Sequence, residues 1–174
     1  MENQNLRYPI GQFIKPTNIE KSHLDSWIET IGSFPSVLHN ILEAISESQL
    51  DIPYRKDGWT VRQVVHHCAD SHINAFIRFK LAMTEDNPVI KPYKESLWSE
   101  LEDSKYLPIN SSLSIIQGIH YRWYILLKNL DADTLKRKYT HPEHGKEFTL
   151  EEAISMYSWH CQHHLAHIKS ILQQ

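Results

Sequence analysis

Long apolar runs are missing from this sequence, and no stretch approaches the roughly 18–20 residues that a membrane-spanning helix needs. Nothing at the N-terminus reads as a signal peptide, so the expectation is a cytoplasmic protein with no membrane partner. Cysteine is scarce: Cys68 and Cys161 are the only two, too few for a disulfide scaffold and expected to be reduced in that compartment. Glycine is scarce as well, at five residues, which argues against an all-β fold built on tight turns. No excess of one charge is present either. Eighteen Lys and Arg against 21 Asp and Glu give a net charge of −3, and no electrostatic reason to expect nucleic acid. What remains is a 174-residue chain of ordinary hydrophobic content, read as a single domain over residues 1–174. Histidine is the exception to that ordinariness, with twelve residues that cluster.

Taken in order, residues 1–20 form an extended arm, broken by Tyr8-Pro9 and Lys15-Pro16. A helix is predicted from Ser22 through Leu24, Trp27, Ile28 and Ile31, interrupted at Gly32-Ser33. A second piece then begins with Ser33 as N-cap and Pro35 in its first turn. After a loop over residues 49–58, Thr60 and Gln63 make a capping box that opens a helix running to about Glu85, with Pro88 closing it. A short helical segment is expected around Glu95–Leu101, and a long helix from Asn110 or Ser111 to Leu130. Asp131–Lys136 adds one turn, and residues 137–148 read as a small hairpin or ordered loop. A second capping box, Thr149 with Glu152, opens the last helix. Four long amphipathic helices with long connections predict an all-α protein, a four-helix bundle with crossover connections.

That last helix carries Trp159-His160-Cys161-Gln162-His163-His164-Leu165-Ala166-His167. Residues four apart share a helix face, so His160/His164 and His163/His167 are each spaced to grip a metal ion. Periodicity separates the pairs. Ala153, Tyr157, Cys161, Leu165, Ile168, Ile171 and Leu172 define an apolar stripe. His164 lies about 30° from its centre and His160 about 80°, whereas His163 lies about 130° away, on the side predicted to face solvent. His160 and His164 are therefore the candidate ligands, against the plainer reading of core histidines with ordinary hydrogen bonds. Cys161 stands where a zinc protease would carry glutamate. It and Cys68 fall on apolar faces and read as small buried hydrophobes.

Two histidines make a weak site, and zinc usually takes at least three protein ligands. Spacing leaves the third open among His66, His67, His72 and His120. Helical periodicity alone prefers His72, at the centre of its apolar face, and places His66 and His67 about 130° off it. His67 shares a polar stripe with Ser71, Asn74 and Arg78.

The run Trp59-Thr60-Val61-Arg62-Gln63-Val64-Val65-His66-His67-Cys68-Ala69-Asp70, followed by Arg78-Phe79-Lys80, resembles the first histidine signature of the DinB/YfiT-like superfamily. The segment from Trp159-His160 to His167-Ile168 resembles its second. Arg7-Tyr8-Pro9-Ile10-Gly11, Pro53-Tyr54-Arg55, Trp98-Ser99-Glu100-Leu101 and His141-Pro142-Glu143 extend the likeness over nearly the full length. By position, the resemblance implies His67, eight residues after the tryptophan, as the third metal ligand beside His160 and His164. It also implies a four-helix bundle, a homodimer, and zinc or nickel, one ion per subunit.

The function so implied is that of a metal-dependent hydrolase in which three histidines hold a divalent ion that activates water, acting on a small-molecule substrate. No obvious carboxylate base accompanies the motif: Asp70 and Glu152 are nearby in sequence, but Glu152 reads as a cap. A thiol S-transferase of the bacillithiol type is the alternative, because coordination deprotonates a low-molecular-weight thiol without a base and Arg78 could bind an acidic group on it. A third reading is a non-catalytic, metal-stabilised binding module, favoured if His120 or Cys161 closes the coordination shell.

Overall fold

The computed structural model describes residues 6–143 and 145–172, so residues 1–5 of the predicted arm lie outside the described part. Four long helices build the body: α1 (Lys21–Leu42), α2 (Val61–Thr84), α5 (Asn110–Lys128) and α7 (Leu150–Ile171). Between α2 and α5 lie two short helices, α3 (Glu95–Trp98) and α4 (Glu102–Tyr106), where one segment was expected. A 3₁₀ turn (Glu47–Asp51) follows α1, and α6 (Ala132–Leu135), started by Asp131, follows α5. The hairpin before the last helix pairs β1 (Lys138–His141) with β2 (Lys146–Thr149), with Tyr139 opposite Phe148.

The capping boxes sit where their residue types require. Thr60 accepts from the Gln63 amide at 3.2 Å while the Gln63 side chain takes the Thr60 N–H at 2.9 Å. Thr149 and Glu152 repeat this at the start of α7. Each cap satisfies two of the amides that a helix start leaves without partners, which fixes where α2 and α7 begin and hence the phase of their histidines.

The predicted break at Gly32-Ser33 does not occur, and α1 runs through it. The Ser33 hydroxyl donates back to the Glu29 carbonyl at 2.8 Å and caps nothing. Pro35 lies inside the helix and cannot donate to the Ile31 carbonyl. His120 of α5 does so in its place, its Nδ1 lying 2.6 Å from that oxygen. A proline within a helix costs about 3 kcal/mol or more, and one hydrogen bond returns about 1 kcal/mol. Burial of Ile28, Ile31, Phe34, Leu38 and Leu42 supplies the rest, at about 1.5–3 kcal/mol for each large side chain.

In cross-section α1 packs against α5 and α7, and α2 packs against the same two, so α1 and α2 stand on one diagonal. Trp123, Phe34, Phe79, Ile116, Leu127, Ile154 and Ile168 fill the space between them. The 3₁₀ turn, α4 and β1 also lie against α2. That helix is therefore covered on nearly every side, which buries polar side chains a single-faced helix would expose. Arg62 is one, paired with Asp51 and Glu47, each at 2.7 Å. No helix among the described residues is long and apolar enough to cross a membrane.

Candidate metal centre

His67 on α2 meets His160 and His164 on α7, and one ring nitrogen of each lies within 4.8 Å of the others. His67 Nε2 and His160 Nε2 face each other at 3.2 Å. Trp59, the residue before the α2 cap, covers His67 with ring centroids 4.7 Å apart. His67 is buried although it lies far from the centre of the apolar face of α2, because that helix has neighbours on several sides. His72, which periodicity preferred, is fully buried and has a different set of contacts.

His72 Nδ1 lies 2.7 Å from His120 Nε2, and its Nε2 lies 3.1 Å from His160 Nδ1. His120 thus spends one nitrogen on the Ile31 carbonyl and the other on His72, leaving neither for an ion at the three-histidine cluster. Cys161 comes close to His72 and His120, not to the three-histidine cluster. Both thiols are fully buried, and burial pushes them far above the usual range, so neither is a ready thiolate. His66 is occupied elsewhere, with Ser112 Oγ at 2.7 Å and the Leu107 carbonyl at 3.1 Å.

The outward position expected for His163 is corrected by the structure, where its exposure is 7%. The N-terminal arm covers it: Tyr8 lies 5.9 Å away by ring centroids, Trp159 stacks on it at 4.4 Å, and Phe13 packs against Trp159. The arm is fastened by Trp159 Nε1 donating to the Gly11 carbonyl and by Lys15 paired with Glu152 at 2.8 Å. Periodicity within α7 carries no information about a strand of chain laid over it from 150 residues away.

Burial drives the ring pKa values down, most simply because a charged imidazolium loses its water. His67 falls to about 3, and His160 and His164 are held well below the usual range, with neighbouring rings adding to the effect. At neutral pH the site presents three neutral nitrogen donors. Either a proton or a cation must lie between His67 Nε2 and His160 Nε2 at their separation. Two nitrogens bound tetrahedrally to one ion at about 2.0–2.1 Å stand about 3.3 Å apart, so the donor set fits a divalent metal.

The cluster forms the floor of a cavity of about 790 Å³. Its walls include Trp59, Tyr93, Tyr139, Phe148, Met156 and Tyr157, with Arg55 and Arg78 as cations. Glu95, Glu143 and Asp57 also reach it. These carboxylates were missed in the sequence because they come from the connections; only His141-Pro142-Glu143, within the family likeness, pointed there. Asp70 does not line the cavity, and Glu152 is spent on its cap and on Lys15.

The family model described as the DinB superfamily matches residues 33–168. The chain belongs to the DinB superfamily. It is 47% identical over 171 residues to a Bacillus subtilis protein named "Putative metal-dependent hydrolase YfiT", covering 98% of this chain and 96% of that one. A Bacillus cereus protein named "Putative metal-dependent hydrolase" is 51% identical over 167 residues, covering 96% and 95%. The solved structure of YfiT from Bacillus subtilis superposes with a TM-score of 0.94 over 97% of both chains at 47% identity. It is described as "a probable metal-dependent hydrolase with an unusual four-helix bundle topology". The four-helix bundle expected for this chain is the architecture observed.

Proposed function

We propose that this chain is a metal-dependent hydrolase of small molecules, with a divalent ion, zinc before nickel, held by His67, His160 and His164. The convergence of three neutral imidazole nitrogens on the floor of an open cavity carries this reading. A divalent ion held by neutral ligands keeps its full charge, and supplies Lewis acidity toward a substrate oxygen or water.

The chain's own residues do the remainder. Trp59, Phe148 and Met156 give the cavity apolar walls that exclude bulk water from a bound substrate. Arg78 donates through Nη1 to the Tyr157 hydroxyl at 3.1 Å, and its buried Nε has no acceptor among the described residues. That nitrogen is placed to receive a carbonyl, carboxylate or phosphoryl oxygen of the substrate. Glu95 and Glu143, on the cavity wall, are the carboxylates in position to take up a proton during hydrolysis.

A second reading, transfer of a low-molecular-weight thiol, draws on the same Arg78 Nε as a seat for an acidic group and needs no carboxylate. Zinc-loaded protein offered ester and amide substrates, beside thiols with a model electrophile, separates the two. Hydrolysis abolished by Glu143→Gln or Glu95→Gln supports the first. Turnover only with a thiol present, unaffected by either variant, overturns it in favour of the second.

A further inference from the structure

The cluster sits at the meeting point of two files of histidine, and each file ends on a main-chain carbonyl. We propose that these files fix the tautomers of His160 and His164, with His120 and His72 as positioning residues for the former and His167 for the latter. This rests on the metal-centre reading above and deepens it.

A carbonyl oxygen only accepts. The Ile31 carbonyl, left without its helical donor by Pro35, therefore requires a proton on His120 Nδ1, 2.6 Å away. In a neutral ring the other nitrogen then carries a lone pair. His120 Nε2 accordingly accepts from His72 Nδ1 at 2.7 Å, and His72 Nε2 accepts from His160 Nδ1 at 3.1 Å. Each bond dictates the next. The file delivers His160 as the Nδ1–H tautomer with its Nε2 lone pair aimed at the cluster, where His67 Nε2 lies at 3.2 Å.

The second file starts on the N-terminal arm. The Arg7 carbonyl accepts from His167 Nε2 at 3.2 Å, which leaves a lone pair on His167 Nδ1. That nitrogen faces His164 Nδ1 at 3.4 Å, so His164 donates there and keeps its Nε2 for the cluster. A proton added to the accepting nitrogen of His120, His72 or His167 would set two N–H groups face to face. A free imidazole prefers its proton on Nε2, the nitrogen these ligands must offer bare. The files therefore select the less favoured tautomer before an ion arrives, which is how second partners of metal-binding histidines raise affinity.

The grouping of His72, His120 and Cys161 within 4.8 Å resembles a second metal site, but the first file uses the nitrogens of both histidines. It is a positioning device.

Long-range proton–nitrogen NMR on histidine-labelled protein, free of metal, reads each tautomer directly and needs no variant to fold. The expected result is Nδ1–H for His72, His120, His160 and His164, and Nε2–H for His167. Finding His160 or His164 as Nε2–H overturns the proposal. His72→Phe, which keeps a ring in place but offers no acceptor, should move His160 toward Nε2–H. It should weaken zinc about 10- to 100-fold in competition with a chromophoric chelator, while leaving one ion per chain at saturation. His167→Phe should do the same through His164. Zinc affinity within twofold of the parent, with unchanged tautomers, overturns the positioning role. Failure of the parent protein to bind zinc at all would instead overturn the metal-centre reading, with the tautomers still legible.

Discussion

At the scale of single residues, ligands and neighbours should separate cleanly by metal content. His164→Ala removes one of three converging nitrogens and should lose most bound zinc by elemental analysis, whereas His163→Ala should keep it. Because His163 is packed under the arm and against Trp159, its removal should still lower fold stability by about 0.5–3 kcal/mol. Equal metal loss in both variants would contradict this assignment. A pH dependence follows from His120, whose pKa burial drives down to about 4, the Ile31 hydrogen bond opposing it only in part. Below about 6.5 the unfolded ring takes a proton that the native ring refuses. The stabilisation is therefore full above that pH and is lost as pH falls toward about 4. Urea midpoints of metal-free protein should drop across this window, and less steeply in His120→Phe; parallel slopes would refute the contribution. The convergence of His160 and His164 on one face of α7 was legible in the sequence because spacing of four on a capped helix is a local signal. His67 was not, since what buries it is a set of distant elements around α2. Its assignment came from the family likeness alone.

At the scale of elements, Gly32 shows why α1 was read as two helices. Glycine and serine before a proline are a reasonable local stop signal, and here tertiary contact overrides it. A Cβ built on Gly32 would lie 2.4 Å from the Tyr124 ring, so glycine is there to let α1 and α5 approach, not to end a helix. Tyr124 is in turn held by donating to Glu29 Oε1 at 2.8 Å. Gly32→Ala should gain about 1 kcal/mol of helix propensity and lose about 1–3 kcal/mol to overpacking, a net loss in thermal or urea unfolding. The same change in a Tyr124→Ala background should be stabilising, because the obstructing ring is gone. A destabilisation of equal size in both backgrounds would show that the close approach is not the cause. The same contrast explains which elements were legible. The starts of α2 and α7 and the hairpin rest on contacts a few residues apart, whereas continuity through Pro35 depends on a donor from α5.

At the scale of the whole molecule, the arm joins the metal centre to the outer surface. Its inward side chains, Tyr8 and Phe13, pack on α7, and its Arg7 carbonyl ends the histidine file to His164. Its outward side chains are apolar too: Ile10 is 42% exposed and Ile14 is 84% exposed. A short segment held by a few polar ties gains little from leaving isoleucines in water, and covering Ile14 would contribute up to about 1.5–3 kcal/mol, with Ile10 adding roughly half as much or less. We propose that a second copy of the chain covers them, in agreement with the homodimer that the family resemblance implies. Two copies related by a twofold axis would bury the same patch from both sides, doubling the gain from every residue in it. Sedimentation at micromolar concentration should then give twice the 20.5 kDa chain mass. Ile14→Asp should shift the equilibrium toward the single chain without disturbing α7, since that side chain is almost wholly exposed. The zinc affinity of the variant supplies the control. Unchanged affinity with lost dimer places the arm's outer face in the interface, and a parent protein that sediments at the single-chain mass overturns the dimer outright.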